Sequence, residues 1–346
     1  MSQYLVLSHI NVQNANAIAG LTWGFPAITQ FLGFAHALNR KISNRYDGNY
    51  DIELSGCAVV SHKVQNKVYQ AKQSADFEFL QSKNPPVLAK HKSSSPPIIE
   101  EGKMNLTLSL VIELDKPLSL TMEEVGQLEQ HILALCYSLR LAGGSILEVR
   151  QIKLLSASTK EQRVAMLRKI KRLTMPGFVL LDRSNYLHEH HKTRLAGHSA
   201  GHSGRQEDTS QVLDTWLDFA ALKYQAQPQL RDGLAKPDQN TPATWEHVAK
   251  PQSGYLVPLM TGYKAISDLY APGEVQNTRD ELTPSRFVEA IHSIGEWRGM
   301  HSVKDIDDII WRNQHDNHWY FCQQGQTATP ENAPDVDNLT NLLNSF

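Results

Sequence analysis

Residues 11 to 25 (NVQNANAIAGLTWGF) bring together the side chains of this 346-residue chain best suited to holding a polymer. Asn11, Gln13, Asn14 and Asn16 each carry a donor and an acceptor on a short arm, and Trp23 and Phe25 offer flat faces on which a base can stack. No acid, base or metal ligand dominates the run. Aromatic residues beside Gly and Pro also plug cores, and at least one of this pair is expected inside.

Other constellations could do covalent or metal chemistry. Gly197, His198, Ser199, Ala200 and Gly201 match the serine-hydrolase elbow, whose mechanics require a strand entering and a helix leaving; a Ser-, Gly- and His-rich tract supplies neither. His188, His190, His191, His198 and His202 could gather a metal loosely, but a polar tract fixes no geometry, so no metal site and no cofactor is expected. His9 is the best candidate for a general base in metal-independent RNA cleavage, and no acid partner for it is evident.

Two further groups could hold phosphate. Arg163, Arg168, Lys169 and Arg172 lie on one helical stretch with little opposing acid, which reads either as a solvated face or as a phosphate track. Arg140, Gly143, Gly144 and Ser145 put a cation beside bare backbone amides, although a plain glycine C-cap is the simpler local reading. Neither nucleotide-loop pattern, Gly-x-x-x-x-Gly-Lys-Ser or Gly-x-Gly-x-x-Gly, follows a strand.

The elements that must position these residues follow from apolar spacing. Tyr4, Val6, Ile10 and Val12 oppose His9, Asn11 and Gln13 in a first strand; Pro26 starts a helix with Ile28, Phe31, Leu32, Ala35, Leu38 and Ile42 on one face. A second strand from Ile52 to Val68 points Lys63, Gln65 and Lys67 away from its apolar side. Met104 to Leu114 alternates most cleanly, with Asn105, Thr107 and Ser109 on the wet side. Thr121 and Glu124 have capping-box spacing ahead of a second helix, and Ile146 to Leu155 reads as a fourth strand.

This order predicts an α+β fold with a ferredoxin-like core, two helices on one sheet face and the other face open. The expected organisation is a core over 1–183 with a protruding insertion at 70–98, a polar insert with one helix over 184–250, and a C-terminal α/β extension over 251–346 that packs on the core and a partner. Thr159 to Leu173 should be a helix, Phe178 to Leu181 a strand, and Pro284 should start a helix carrying Phe287, Val288, Ile291 and Ile294.

Composition bounds the rest. The length allows roughly three quarters of the unfolded surface to be buried, so no staple is needed. Three well-separated cysteines, Cys57, Cys136 and Cys322, argue against a disulfide framework, and no apolar run is long enough to span a bilayer, so a cytoplasmic location is expected. The net charge of −2 does not announce a nucleic-acid binder, but screening over about 10 Å leaves room for a local basic face.

The segments QNANAIAGLTWGFP (13–26), IIEEG (98–102), RLAGGSI (140–146), PGF (176–178) and GYLVPLMTGYKAISDLYAPGEVQNTRDELTPSRFVEAIHSIGEW (254–297) together resemble the second Csy subunit of the type I-F CRISPR surveillance complex. The likeness covers most of 1–183 and 254–312, and no pattern is recognised in 185–250 or in the C-terminal tail. It implies a modified RNA-recognition fold in a non-catalytic subunit that caps the 5′ handle of the CRISPR RNA. The implied partners are the large subunit and an adjacent backbone subunit, with target DNA met only indirectly and no membrane. It makes Arg140, Gly143, Gly144, Ser145, the amides from Asn11 to Asn16, Arg279 and Arg286 candidate RNA contacts. Lys63, Lys67 and the basic helix rest on charge alone. A metal-independent endoribonuclease that processes CRISPR RNA precursor is the alternative.

Overall fold

Strand β1 (Ser2–Asn16) is an interior strand of the sheet, paired antiparallel along both edges, and its first half is accordingly buried on both faces. The computed structural model describes residues 2–45, 52–80, 101–199, 210–229, 241–276, 278 and 280–325. After β1 come helix α1 (Ile28–Arg45), strand β2 (Leu54–Asn66), strand β3 (Lys103–Leu114), helix α2 (Met122–Cys136) and strand β4 (Gly144–Ala157). The four strands are antiparallel in the order β2-β3-β1-β4. Of the expected insertion at 70–98, residues 70–80 are described; the short strands Val68–Tyr69 and Glu78–Phe79 pair there, and 81–98 lie outside the described residues.

One sheet face carries Leu5, Leu7, Ile10 and Val12 opposite Ile112, Leu110, Leu108 and Leu106, all buried, and α1 and α2 pack over it. Helix α2 starts on the expected capping box: the Thr121 hydroxyl accepts from the Glu124 N–H, and the Glu124 carboxylate accepts from the Thr121 N–H at 2.8 Å. Helix α3 (Lys160–Thr174) begins the same way, with Thr159 and Gln162, and strand β5 (Phe178–Asp182) follows. The chain is thus α+β around a large antiparallel sheet.

The second face is not open along its whole length, as sequence spacing suggested. Tyr4, Val6, Ala58, Val60, Val111 and Leu155 are covered by Met166 and Ile170 of α3, Val179 and Leu181 of β5, and Ile309 and Ile310. The cause is visible in Tyr4-Leu5-Val6-Leu7, an unbroken apolar run that needs cover on both faces, unlike the alternating stretch after His9. Among the described residues no such cover lies over the half of this face beyond His9.

The chain divides into two compact units. One comprises the described residues of Met1–Asp182, Leu259–His292 and Trp297–Thr327; the other comprises those of Arg183–Pro258 and Ser293–Glu296. The second unit contains helix α4 (Ser184–Ser199), helix α5 (Ser210–Ala220) and a hairpin of β6 (Lys223–Pro228) with β7 (Ala243–Val248). Helix α4 replaces most of what sequence reading treated as a shapeless tract. Its few apolar residues, Tyr186 and Leu187, reach Phe219, Leu256 and Ile294, and polar bonds hold the remainder. His190 and Arg194 bond the Asp218 carboxylate at 2.8 and 2.6 Å, Lys223 also bonds it, and His191 meets Thr215 at 3.2 Å. Burial pushes the Asp218 carboxyl up, but the bonds from Lys223, His190 and Arg194 outweigh it and hold it at about 2.

Strands β8 (Tyr255–Ala265), β9 (Val288–Gly299), β10 (Trp311–His315) and β11 (Trp319–Gln324) complete the large sheet. The helix expected from Pro284 is a strand. Residues 266–270 run beside 285–287, where Ile266 N–H donates to Phe287 O at 3.0 Å and Tyr270 and Ser285 exchange bonds of 2.8 and 3.1 Å, so the backbone is satisfied by a neighbour. Trp311 of β10 pairs with Cys57 of β2 and donates its indole N–H to Leu180 O at 3.0 Å. Arg312 beside it forms a two-pronged bond to Glu113, 2.8 Å on each prong.

The three cysteines are buried and free, and burial raises each thiol above its ordinary value, so they are inert core residues. No helix among the described residues is long and apolar enough to cross a membrane.

Candidate nucleic-acid interface

The uncovered half of the second sheet face is a shelf of amides and lysines. Register places Lys63, Thr107, Asn11 and Glu148 in one lateral row across β2, β3, β1 and β4. Gln65 pairs with Asn105, and Gln13 with Ser145, in the next. Asn11, Gln13, Lys63, Gln65, Asn105, Thr107 and Leu147 line a shallow concavity of about 280 Å³. The side chains of Asn11, Gln13, Lys63 and Thr107 have no hydrogen-bond partner among the described residues. Neighbouring amides are engaged: Asn105 accepts from the Asn14 N–H at 3.2 Å, and the Lys67 ammonium donates to Asn14 Oδ1. Asn16 bonds both polar atoms to the backbone of Ile18, at 2.9 and 3.1 Å, and so shapes the turn after β1.

The glycine loop beside this shelf is a hairpin turn, not a helix cap. Helix α2 ends at Cys136, and Arg140-Leu141 fold back on Gly144-Ser145 with Ala142 and Gly143 at φ 49° and 77°. Gly144 allows close approach to β1, since a Cβ there would stand 2.7 Å from both Ala15 N and Gln13 O. Arg140 bonds Gly143 O and Ser145 Oγ at 3.4 and 3.3 Å, which leaves its guanidinium at the surface next to Gln13. The loop is therefore the end wall of the shelf.

Trp23 remains 38% exposed, with Phe79 tilted against it at 4.7 Å and Gly102 beneath. Phe25 is packed between Phe31, stacked at 5.5 Å, and Trp297, edge-on at 4.8 Å. Of the two rings, Trp23 is the one that offers a face.

The basic helix α3 covers the Tyr4–Val6 half of the same sheet face, so its cations flank the shelf. Arg168, Lys169 and Arg172 are exposed with no acidic partner among the described residues, whereas Arg163 is tied to Asp307 at 3.2 Å and Ser2 at 2.9 Å. Ser8 Oγ donates to Leu173 O at 2.6 Å, which fixes the C-terminal end of α3 next to the shelf. Arg286 sits apart in sequence and structure, beside the Tyr270–Ser285 bridge, and Arg279 lies outside the described residues.

At the border between the covered and open halves, His9 stacks on His62 with centroids 4.0 Å apart and planes within 7°. Both rings are held below their ordinary value, first by burial; for His9 the fields of His62 and Arg150 add to it. Sequence reading missed His62 and Arg150 as site residues because each needs the register to be seen. Asn105, Thr107 and Gln65 were legible as wet-side residues by parity. His190 and His191 hold α4 to Asp218 and Thr215 while His188 is exposed on the same helix, Ser199 ends a helix rather than following a strand, and no metal-holding cluster occurs among the described residues.

The family model for CRISPR-associated protein (Cas_Csy2) matches residues 5–322, a span that also takes in the 185–250 region where no motif was recognised. This chain belongs to the Csy2 family. CRISPR-associated protein Csy2 of Pseudomonas aeruginosa (strain UCBPP-PA14) is 33% identical over 316 residues, covering 89% of this chain and 90% of that protein. Membership bears out the motif resemblance: the chain is a subunit of the type I-F Csy surveillance complex, which acts in antiviral defence.

Proposed function

We propose that this Csy2-family subunit binds the 5′ handle of the CRISPR RNA on the amide-and-lysine shelf and leaves it uncut. The observation that carries this reading is that the polar side chains of Asn11, Gln13, Lys63 and Thr107, which have no hydrogen-bond partner among the described residues, surround one open concavity. Unpaired amides at the surface of a sheet suit exposed base edges, and lysines suit phosphate. Trp23, propped by Phe79, is the proposed stacking face, worth about 1 to 3 kcal/mol per base. Arg140, Gly143 and Ser145 wall one end; Arg168, Lys169 and Arg172 lead the backbone away.

The strand order second-third-first-fourth, joined strand-helix-strand-strand-helix-strand, supports a ferredoxin-like core of the RNA-recognition type. Pairing with the large subunit is assigned to the segment 266–288, where Ile266, Leu269, Leu282, Phe287 and Val288 are exposed. An adjacent backbone subunit, a cytoplasmic location and only indirect contact with target DNA complete the reading.

End-labelled handle RNA, mixed with the full chain at low and high salt and run on native and denaturing gels, tests it. Retention that weakens with salt and an intact RNA are expected. Defined fragments without added metal would favour the endoribonuclease, with His9 as base; no retention at either salt would remove RNA binding altogether.

A further inference from the structure

The His9–His62 stack has a hydrogen-bond pattern that leaves a single ring nitrogen unused. Pro176 O can only accept, so His62 Nδ1, 2.7 Å away, carries its hydrogen, and His62 Nε2 accepts from the Ser109 hydroxyl at 2.7 Å. Ser109 Oγ in turn accepts the His9 backbone N–H at 2.9 Å. Because Ser8 Oγ gives its hydrogen to Leu173 O, His9 Nδ1 must donate to Ser8 Oγ at 2.8 Å. His9 Nε2 is then a bare lone pair with no partner among the described residues.

The groups that face His9 are few. Among the described residues strand β2 presents the His62 ring and β3 the Ser109 hydroxyl, and the Leu173 carbonyl at the end of α3 holds the neighbouring Ser8. On β4, Val149 and Gln151 pair with Ile10 and Ser8, so Arg150 stands opposite His9, exposed and without an ion pair among the described residues. Lys63 follows His62 and lines the concavity.

We propose that the paired imidazoles, with Arg150 and Lys63 beside them, form a phosphodiester subsite of the RNA shelf, in which a phosphate oxygen is shared by the Arg150 guanidinium and His9 Nε2–H, and one proton enters with the phosphate. The proposal rests on the RNA-binding reading above. His9 can accept that proton without losing its bond to Ser8, whereas His62 would first have to reverse its bond with Ser109. Two charges in rings 4.0 Å apart repel, so the pair takes one proton.

The sign of the linkage follows. His9 is held low when the subsite is empty and rises when an anion occupies it, so binding takes up a proton and tightens as pH falls through the bound-state value. It levels off once His9 is protonated in the free protein too.

The test is affinity of the full chain for fluorescein-labelled single-stranded handle RNA between about pH 8 and about pH 5.5. For the native chain, affinity should rise toward about tenfold per pH unit at the steepest point. His9→Asn keeps a donor for Ser8 and suits the positive φ of 50°, and should bind with a flattened profile and an unchanged melting temperature. Arg150→Gln should lower affinity at every pH. RNA binding with the same pH slope in native and His9→Asn proteins would overturn the subsite while leaving RNA binding intact; no RNA binding at any pH would overturn the RNA-binding reading itself.

Discussion

Replacing Lys63, Lys67 and Arg150 together by alanine should weaken handle-RNA binding about a hundredfold at moderate salt and leave the melting temperature nearly unchanged. Lys63 and Arg150 are exposed and Lys67 is half-buried with its ammonium on Asn14 Oδ1, and none of the three belongs to the core, so their removal opens no core cavity. Each phosphate contact to a single strand contributes about −0.7 to the slope of log affinity against log salt, so the slope should flatten by about two. Isothermal titration or fluorescence anisotropy over a salt series reads both quantities. A triple variant that binds with native affinity and slope would place the backbone path elsewhere. Alanine at Arg163 is the contrasting control: its guanidinium is engaged by Asp307 and Ser2, so its loss should act on stability rather than on the salt slope.

The second large effect concerns the seam that joins β10 to the core. Trp311→Ala should destabilise the chain by about 3 to 5 kcal/mol, measured by urea unfolding followed by intrinsic fluorescence and circular dichroism. The indole is fully buried, and its N–H bond to Leu180 O goes with it. Its strand partner is Cys57, and the next residue, Arg312, anchors Glu113, so the cavity would open where β10 meets β2 and β3. Loss below about 1 kcal/mol would mean that β10 contributes little to the core.

What could be read from the sequence was mostly local. Thr121 with Glu124 announced α2 because a capping box is a local device between an N-cap residue and its N3 neighbour, and Met104 to Leu114 announced β3 because alternation needs no partner to be seen. The covered half of the sheet was legible only in part: Tyr4-Leu5-Val6-Leu7 is apolar on both faces, but what lies over it comes from α3, β5 and residues 309–310, far along the chain. Helix α4 was hidden for a different reason, since polar bonds to Asp218 stabilise it more visibly than an apolar stripe does. At Pro284 the spacing of Val288, Ile291 and Ile294 suited a helix, and the neighbouring 266–270 backbone decided for a strand.

The site divides along the same line. Asn11, Gln13, Lys63 and Thr107 were on the wet side of their strands by parity alone, and the structure brings them to one concavity. Arg150 stands opposite His9 through the regular β1–β4 register, and His62 reaches His9 across bulged pairings between Leu7 and Ile10 and between Ser61 and Lys63; neither neighbour is encoded in the periodicity of one strand. Gly144 signalled a close approach, and its neighbour proved to be the β1 backbone. Phe25 and Trp23 share a motif but not a role, because Trp297 and Phe31 close over the first and leave the second with one face free.

Photo-crosslinking in the assembled type I-F complex, with 4-thiouridine at each handle position and peptides identified by mass spectrometry, probes guide binding on the shelf directly. Crosslinks from the 5′ handle to residues 9–16, 62–67, 103–107 or 140–150 are expected. Handle crosslinks confined to other subunits, with those segments unlabelled, would contradict it.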